Sequence, residues 1–198
     1  MRYYISDMHF FHEALNTQMD NRGFATVEEM NTYMISQWNK KVKKKDEVFI
    51  LGDFSYAKGE KTNEILRQLN GKLYLIQGNH DYFIKDKKFD SSRFEWILPY
   101  AEIHDNGRKV ILSHYPVFCY NGQYRLLKSG EPRTYMLYGH VHDTQDQQLV
   151  LQFQEITRNT LHNGKYIPCN MLNCFCMYSD YQPLSLDEWI AFHREREK

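Results

Sequence analysis

Five apolar runs in this chain each end in a small set of oxygen and imidazole donors, and that coincidence constrains the fold more than any other feature of its 198 residues. Tyr3-Tyr4-Ile5 leads to Asp7-Met8-His9, and Val48-Phe49-Ile50-Leu51 leads to Gly52-Asp53. Leu73-Tyr74-Leu75-Ile76 leads to Gly78-Asn79-His80-Asp81, Val110-Ile111-Leu112 to Ser113-His114, and Tyr135-Met136-Leu137-Tyr138 to Gly139-His140-Val141-His142. Short, continuous apolar runs of this kind read as buried strands. Strands that all deliver polar residues past their last apolar position line one sheet edge, and the donors gathered there look like one dinuclear metal site. Asp7/His9 and His140/His142 are two residues apart, so extended backbone would send each pair to the same side. Glycines at 52, 78 and 139 give the backbone sharp turns and leave room for close approach.

The segments between these runs supply supporting elements. Thr26 with Glu29 forms a capping box, and Met30, Tyr33, Met34 and Trp38 recur at helical spacing, so a helix there lays one apolar stripe on the sheet. A second helix is predicted over 62–70, stopped by Gly71. Helix and strand alternate up to residue 80, which implies a largely parallel sheet. Asp105-Asn106-Gly107 between apolar runs is a hairpin signal, so the next part is antiparallel in places. Leu149, Phe153 and Ile156 suggest an amphipathic helix, residues 168–178 a late strand, and Ser185-Leu186-Asp187-Glu188 a capping box opening a terminal helix. No repeat or low-complexity linker divides the chain, and residues 1–198 read as one domain.

Composition narrows the class. The chain carries 25 basic and 25 acidic residues, so no overall field draws it to a nucleic-acid backbone; nucleic acid remains a partner the charge does not indicate. The Lys40-Lys41 and Lys43-Lys44-Lys45 cluster closes the first predicted helix, where cations favour the negative end of the dipole. No window approaches the ~20 apolar residues of a membrane helix. The N-terminus runs straight into Asp7 without an export signal, which makes the cytoplasm the expected compartment. Cys174 and Cys176, on alternate positions of an apolar stretch, read as buried thiols in a strand.

The order D-x-H, G-D, G-N-H-D, S-H, G-H-x-H, spanning Asp7 to His142, is similar to that of the calcineurin-like metallophosphoesterases. The resemblance implies an α/β (α+β) fold, a layered α-β-β-α sandwich of two mixed sheets flanked by helices. Carried over residue by residue, it assigns Asp7, His9, Asp53 and His142 to a first metal and Asp53, Asn79, His114 and His140 to a second, with Asp53 bridging. It makes His80 the substrate-side histidine near the scissile phosphate, supported by Asp81, which would fix its tautomer and raise its basicity. His12 would reach substrate phosphate or orient a ligand from behind. His104, His162 and His193 are expected to be ordinary surface or cap residues.

Carboxylates, imidazoles and one amide oxygen suit manganese first, with iron or zinc as alternatives, better than calcium. Two such ions acidify a water between them into a hydroxide aimed at phosphorus, and His80 would protonate the departing alkoxide. The expected activity is hydrolysis of small phosphodiesters or phosphomonoesters. A metal-dependent nuclease is the alternative, and a catalytically silent interaction module on the same fold comes third. Asp53 is followed by Phe54-Ser55-Tyr56, unlike the G-D-x-V-D-R-G of protein phosphatases. Ser6-Asp7-Met8-His9-Phe10 with His12 looks instead like the small bacterial and phage phosphoesterases, although Tyr138 stands before Gly139-His140 where relatives often carry histidine. Arg22, Arg125 and Arg133 would each either clamp a second phosphate or base through a planar fork or be solvated loop residues. The segment from Tyr115 to Arg133, with Tyr120 and Tyr124, is the expected rim for selecting the leaving group.

Overall fold

The computed structural model describes residues 1–166 and 169–196. The side chain of His162 and position 168, where the late strand was expected to begin, lie outside the described residues.

Strands β1 (Arg2–Ile5), β2 (Glu47–Ile50), β3 (Lys72–Ile76) and β4 (Phe94–Leu98) form one sheet in sequence order, parallel throughout. Two helices make the crossovers β1 to β2 and β2 to β3: α1 (Val27–Lys41) and α2 (Gly59–Gln68). Strands β5 (Tyr100–Asp105), β6 (Arg108–Ser113) and β7 (Thr134–Tyr138) lead into the second sheet, completed by β10 after a small hairpin of β8 (Leu161–His162) and β9 (Lys165–Tyr166). Its order is β10-β7-β6-β5, with β10 spanning Met171–Asn173; β5 is the antiparallel member. Helices α3 (Gln145–Asn159) and α4 (Leu186–Arg196) complete the fold. It is thus a mixed α/β structure of two sheets flanked by helices, although the expected mixing of directions is confined to the second sheet.

Strand alternation sorts the core into three layers. Tyr3, Ile5, Val48, Ile50, Leu73 and Leu75 face Met30, Met34 and Trp38 of α1 and Ile65 and Leu66 of α2. The opposite face of that sheet, with Tyr4, Phe49, Leu51 and Ile76, meets Val110, Leu112, Tyr135 and Leu137 of the second sheet, and Trp189 and Ile190 of α4 join this central layer. Ile111, Met136, Tyr138 and Met171 then pack on Val150 of α3.

The local signals mostly translate directly. Thr26 Oγ1 accepts the Glu29 N–H at 3.1 Å, and Glu29 returns the bond one residue early, to the Ala25 N–H. Tyr33 lies outside the buried stripe of α1 and donates to Asp180. Helix α2 begins three residues before the expected 62, and the chain turns at Gly71 with φ +100° beside Val42 and Val48. Asn106 and Gly107, at φ 48° and 75°, make the β5–β6 turn. Glu188 accepts the Ser185 N–H at 2.7 Å, closing the cap of α4.

Three expectations need correction. In α3 the buried positions are Gln147, Val150 and Gln154, while Leu149 and Ile156 are 52% and 62% exposed. Polar groups of the second sheet explain this: Gln154 Oε1 accepts the Met171 N–H, and Gln147 Oε1 accepts from Tyr138 and Asn173. The late strand stops at Asn173, because Ser6 and the following turn capture the chain; Cys174 and Cys176 are buried thiols as expected, but Cys176 opens a short 3-10 helix. His193 is half-buried rather than an ordinary surface residue, and its Nε2 donates to the Asn173 carbonyl at 2.9 Å.

Candidate metal centre

The loops after β1, β2, β3, β6 and β7 bring the motif residues into two adjoining clusters. Asp7, His9 and His142 each place a donor atom within 4.8 Å of the others, and Asp53, His114 and His140 do the same. Asp53 joins them: its Oδ2 lies 3.5 Å from Nε2 of His9 and 3.5 Å from Nε2 of His114. Its Oδ1 is held by the His80 N–H at 2.8 Å. Asn79 brings its amide oxygen to 2.9 Å from His114 Nε2. The Asp7 carboxylate accepts the His140 N–H through both oxygens, at 2.9 and 3.1 Å, which ties the two clusters together a second time.

The donors suit divalent cations. His114 Nδ1 faces the Leu51 carbonyl at 2.9 Å, and His142 Nδ1 faces the Asp20 carboxylate at 2.6 Å. Both partners only accept, so Nδ1 carries a proton in each ring, and in the neutral ring Nε2 is the nitrogen with the lone pair. Those lone pairs point at other donors: His142 Nε2 lies 3.3 Å from His9 Nε2, and His114 Nε2 faces Asn79. Burial, then the positive fields of His142 and Arg22, hold the His9 ring well below its ordinary pKa, and burial with His114 lowers His140. Both rings are thereby kept neutral, the form that ligates. Burial pulls His142 down as well, but Asp7 and Asp20 outweigh it and the net shift is upward. Burial raises Asp53, against the pull of His114 and with Asp7 adding to the rise. Electron-pair donors and carboxylates packed this closely in a dry site call for a cation between them.

The backbone route to this convergence differs from the expected one. Asp7, His9, Asp53, His140 and His142 all have left-handed φ, from 48° to 71°, so neither residue pair leaves extended backbone. The loops after β1, β2 and β7 instead turn sharply at the ligands themselves. The glycines do act by close approach: a Cβ at Gly52 would lie 2.7 Å from Cγ of His114, and one at Gly139 would lie 2.5 Å from Oδ2 of Asp7.

His80, half-buried, stands with its ring 5.5 Å from that of His9. Asp81 does not support it in the expected way. The Asp81 carboxylate accepts the N–H groups of Asp53, Phe54 and Gly78 at 3.0, 2.7 and 2.8 Å, so it pins the loop after β2 to the loop after β3. Burial pushes that carboxyl up to about 7 against these bonds. His80 Nδ1 is buried without a hydrogen-bond partner among the described residues. Arg22 is corrected as well: its side chain is 0% exposed, paired with Asp20 at 2.9 Å and donating to the carbonyls of Met8 and Asp7. It braces the first loop from behind and is closed off from solvent. His12 approaches His9, Nδ1 to Nδ1 at 3.4 Å, and stacks on Tyr56. Tyr120 is buried and bonded to Asn170, so the rim near His140 is Tyr115, whose ring lies 4.5 Å from it. Arg125 and Arg133 are exposed. Asp20 went unnoticed in the sequence, since no motif or periodicity marks it.

Comparison with known proteins agrees with this architecture. The model of the calcineurin-like phosphoesterase superfamily domain matches residues 2–157. An uncharacterized protein of Methanocaldococcus jannaschii is 38% identical over 142 residues, covering 71% of this chain and 68% of its own. The crystal structure of a protein of unknown function from Aquifex aeolicus superposes with a TM-score of 0.64 at 25% identity, over 96% of this chain and 98% of that one.

Proposed function

Because the chain belongs to the calcineurin-like phosphoesterase superfamily, we propose that it is a phosphoric ester hydrolase working through two divalent cations, manganese first among them and iron or zinc the alternatives. The observation that carries the binuclear reading is the single Asp53 oxygen equidistant from the two imidazole clusters. Asp7, His9 and His142 would hold one ion, Asn79, His114 and His140 the other, and Asp53 both. When bound, such a pair supplies Lewis acidity, an acidified water and compensation for charge growing on the phosphoryl oxygens. The chain's own residues do the rest. Leu51 and Asp20 hold a proton on Nδ1 of His114 and His142 and so turn Nε2 toward the site. Asp81 sets the spacing of the loops that carry Asp53 and His80, and Arg22 fixes the backbone of Asp7.

His80 is the group for the leaving oxygen. No acceptor among the described residues claims its Nδ1, so the proton is free to reside on Nε2 and pass to the departing alkoxide. Small phosphate esters are the substrates this reading favours, with a nuclease as the alternative. A single domain and the cytoplasm are part of the same proposal: the four cysteines are free thiols, as a reducing compartment keeps them.

Metal analysis of manganese-loaded protein tests the reading, with about two ions per chain expected. Asp53→Asn should lower that content and cut hydrolysis of bis-p-nitrophenyl phosphate by roughly 10²-fold or more. A wild-type chain with one ion, or a variant keeping both ions and full turnover, would exclude it.

A further inference from the structure

The loops that carry Asp53 and His80 continue into Tyr56 and Tyr82, and these two rings are left 50% and 65% exposed beside the candidate centre. Their centroids lie 5.9 and 6.2 Å from that of His80. Both line a cavity of about 860 Å³ together with Lys58, Lys85 and Lys87, within the ~300–1,000 Å³ usual for sites that take a small organic ligand.

The backbone that carries each ring is tied down, and one ring is stacked. Tyr56 stacks flat on His12, at 4.1 Å and 4° between planes, and its N–H donates to the Phe10 carbonyl at 2.9 Å. The Tyr82 N–H donates to the His80 carbonyl at 2.7 Å. Neither hydroxyl has a hydrogen-bond partner among the described residues, so neither ring owes its place to a structural bond. The groove lining is net positive although the whole chain is neutral, with Lys58, Lys85, Lys87 and Lys88 against Glu60 and Asp86. Lys88 is paired with Glu60 at 2.8 Å, and the Asp86 carboxylate accepts the N–H groups of Gly59 and Lys88. Lys58, Lys85 and Lys87 form no ion pair among the described residues.

We infer that this groove takes the nucleoside of a nucleotidyl phosphoester, its base on Tyr56 and Tyr82 and its neighbouring phosphate toward Lys58, Lys85 and Lys87. The assignment rests on the phosphoesterase reading and names its substrate class. Exposed aromatic rings next to lysines are the combination that holds nucleotides through the π-face and the backbone; a simple alkyl ester would not use the rings. In the reaction water oxygen bonds to phosphorus, the ester P–O bond breaks, and the leaving oxygen takes a proton.

Thymidine 5′-(p-nitrophenyl) phosphate and methyl p-nitrophenyl phosphate share a leaving group and differ only in the nucleoside. With manganese-loaded protein the thymidine ester should have the higher kcat/KM by about 5- to 150-fold, the range that stacking of one base confers. The Tyr56→Leu/Tyr82→Leu double variant should bring the ratio of the two constants close to one. A fluorescent single-stranded oligodeoxynucleotide separates the two sources of such an ester. Cleavage that Lys85→Glu/Lys87→Glu abolishes places a strand in the groove, and selectivity for the thymidine ester without strand cleavage places a free nucleotide ester there; either supports the inference. A wild-type ratio near one, or a ratio the double variant leaves unchanged, overturns it while the phosphoesterase reading stands. If neither ester is hydrolysed with manganese, iron or zinc, both fall together.

Discussion

Asp20 shows how much of the candidate centre is set by residues that touch no ion. Its carboxylate accepts from His142 Nδ1 at 2.6 Å and pairs with Arg22, both out of contact with solvent. Asp20→Asn removes the charge that fixes the His142 proton, and metal affinity should fall about 10- to 100-fold in chelator competition. Arg22 then lies buried without a counter-charge, so urea denaturation should show a loss of about 3 kcal/mol. Unchanged affinity would remove Asp20 from the site. The donors themselves were legible because each follows an apolar run, and a run of that kind announces where a strand ends. Asp20 was not, since its partner His142 is 122 residues away and the loop around it has no period to read. The role given to Asp81 failed for a related reason: adjacency to His80 suggested a pair, but three backbone N–H groups compete for that carboxylate and take it. Arg22 likewise looked free for a phosphate until two carbonyls at the first ligand loop claimed it.

At the scale of elements, α3 separates pattern from packing. Its apolar periodicity picks out Leu149, Phe153 and Ile156, yet the face against the second sheet is built around Gln147, Val150 and Gln154. The sheet presents the N–H of Met171, the hydroxyl of Tyr138 and the amide of Asn173 to this helix, and glutamines answer them. Gln154→Leu should therefore cost about 1–3 kcal/mol by leaving the Met171 N–H buried without an acceptor. Leu149→Gln should change stability by no more than about 0.5 kcal/mol. Thermal or urea melts of the two variants check the order, which helix periodicity alone would reverse. The strands and the capping boxes of α1 and α4 were readable because both signals are local. The face of α3 was not, because it depends on polar groups supplied by distant strands.

Across the whole molecule, α4 fastens the two sheets to each other. Trp189 Nε1 donates to the Tyr4 carbonyl in the first sheet, and His193 Nε2 donates to Asn173 in the second, each at 2.9 Å. Burial, opposed by that bond, lowers the His193 pKa to about 4. The unfolded chain protonates this ring near 6.5, so it binds more protons than the folded one between the two values. Stability from the neutral ring is whole above about pH 6.5 and is lost as pH falls toward 4, by on the order of 3 kcal/mol. His193→Gln should flatten the slope of stability against pH in that window; a slope equal to wild type would mean that the ring does not couple to folding. The left-handed turns at Asp7, His9, Asp53, His140 and His142 bear on the same balance, because such a conformation costs an ordinary residue about 1–2 kcal/mol. Asp and His adopt it several-fold more readily than most residues, so five of them together draw on, without matching, the ~5–15 kcal/mol that keeps a typical domain folded. Drift under selection for robustness alone would replace these residues with glycine or asparagine, so lineages that abandon catalysis should be recognisable by a sturdier chain with just those letters changed.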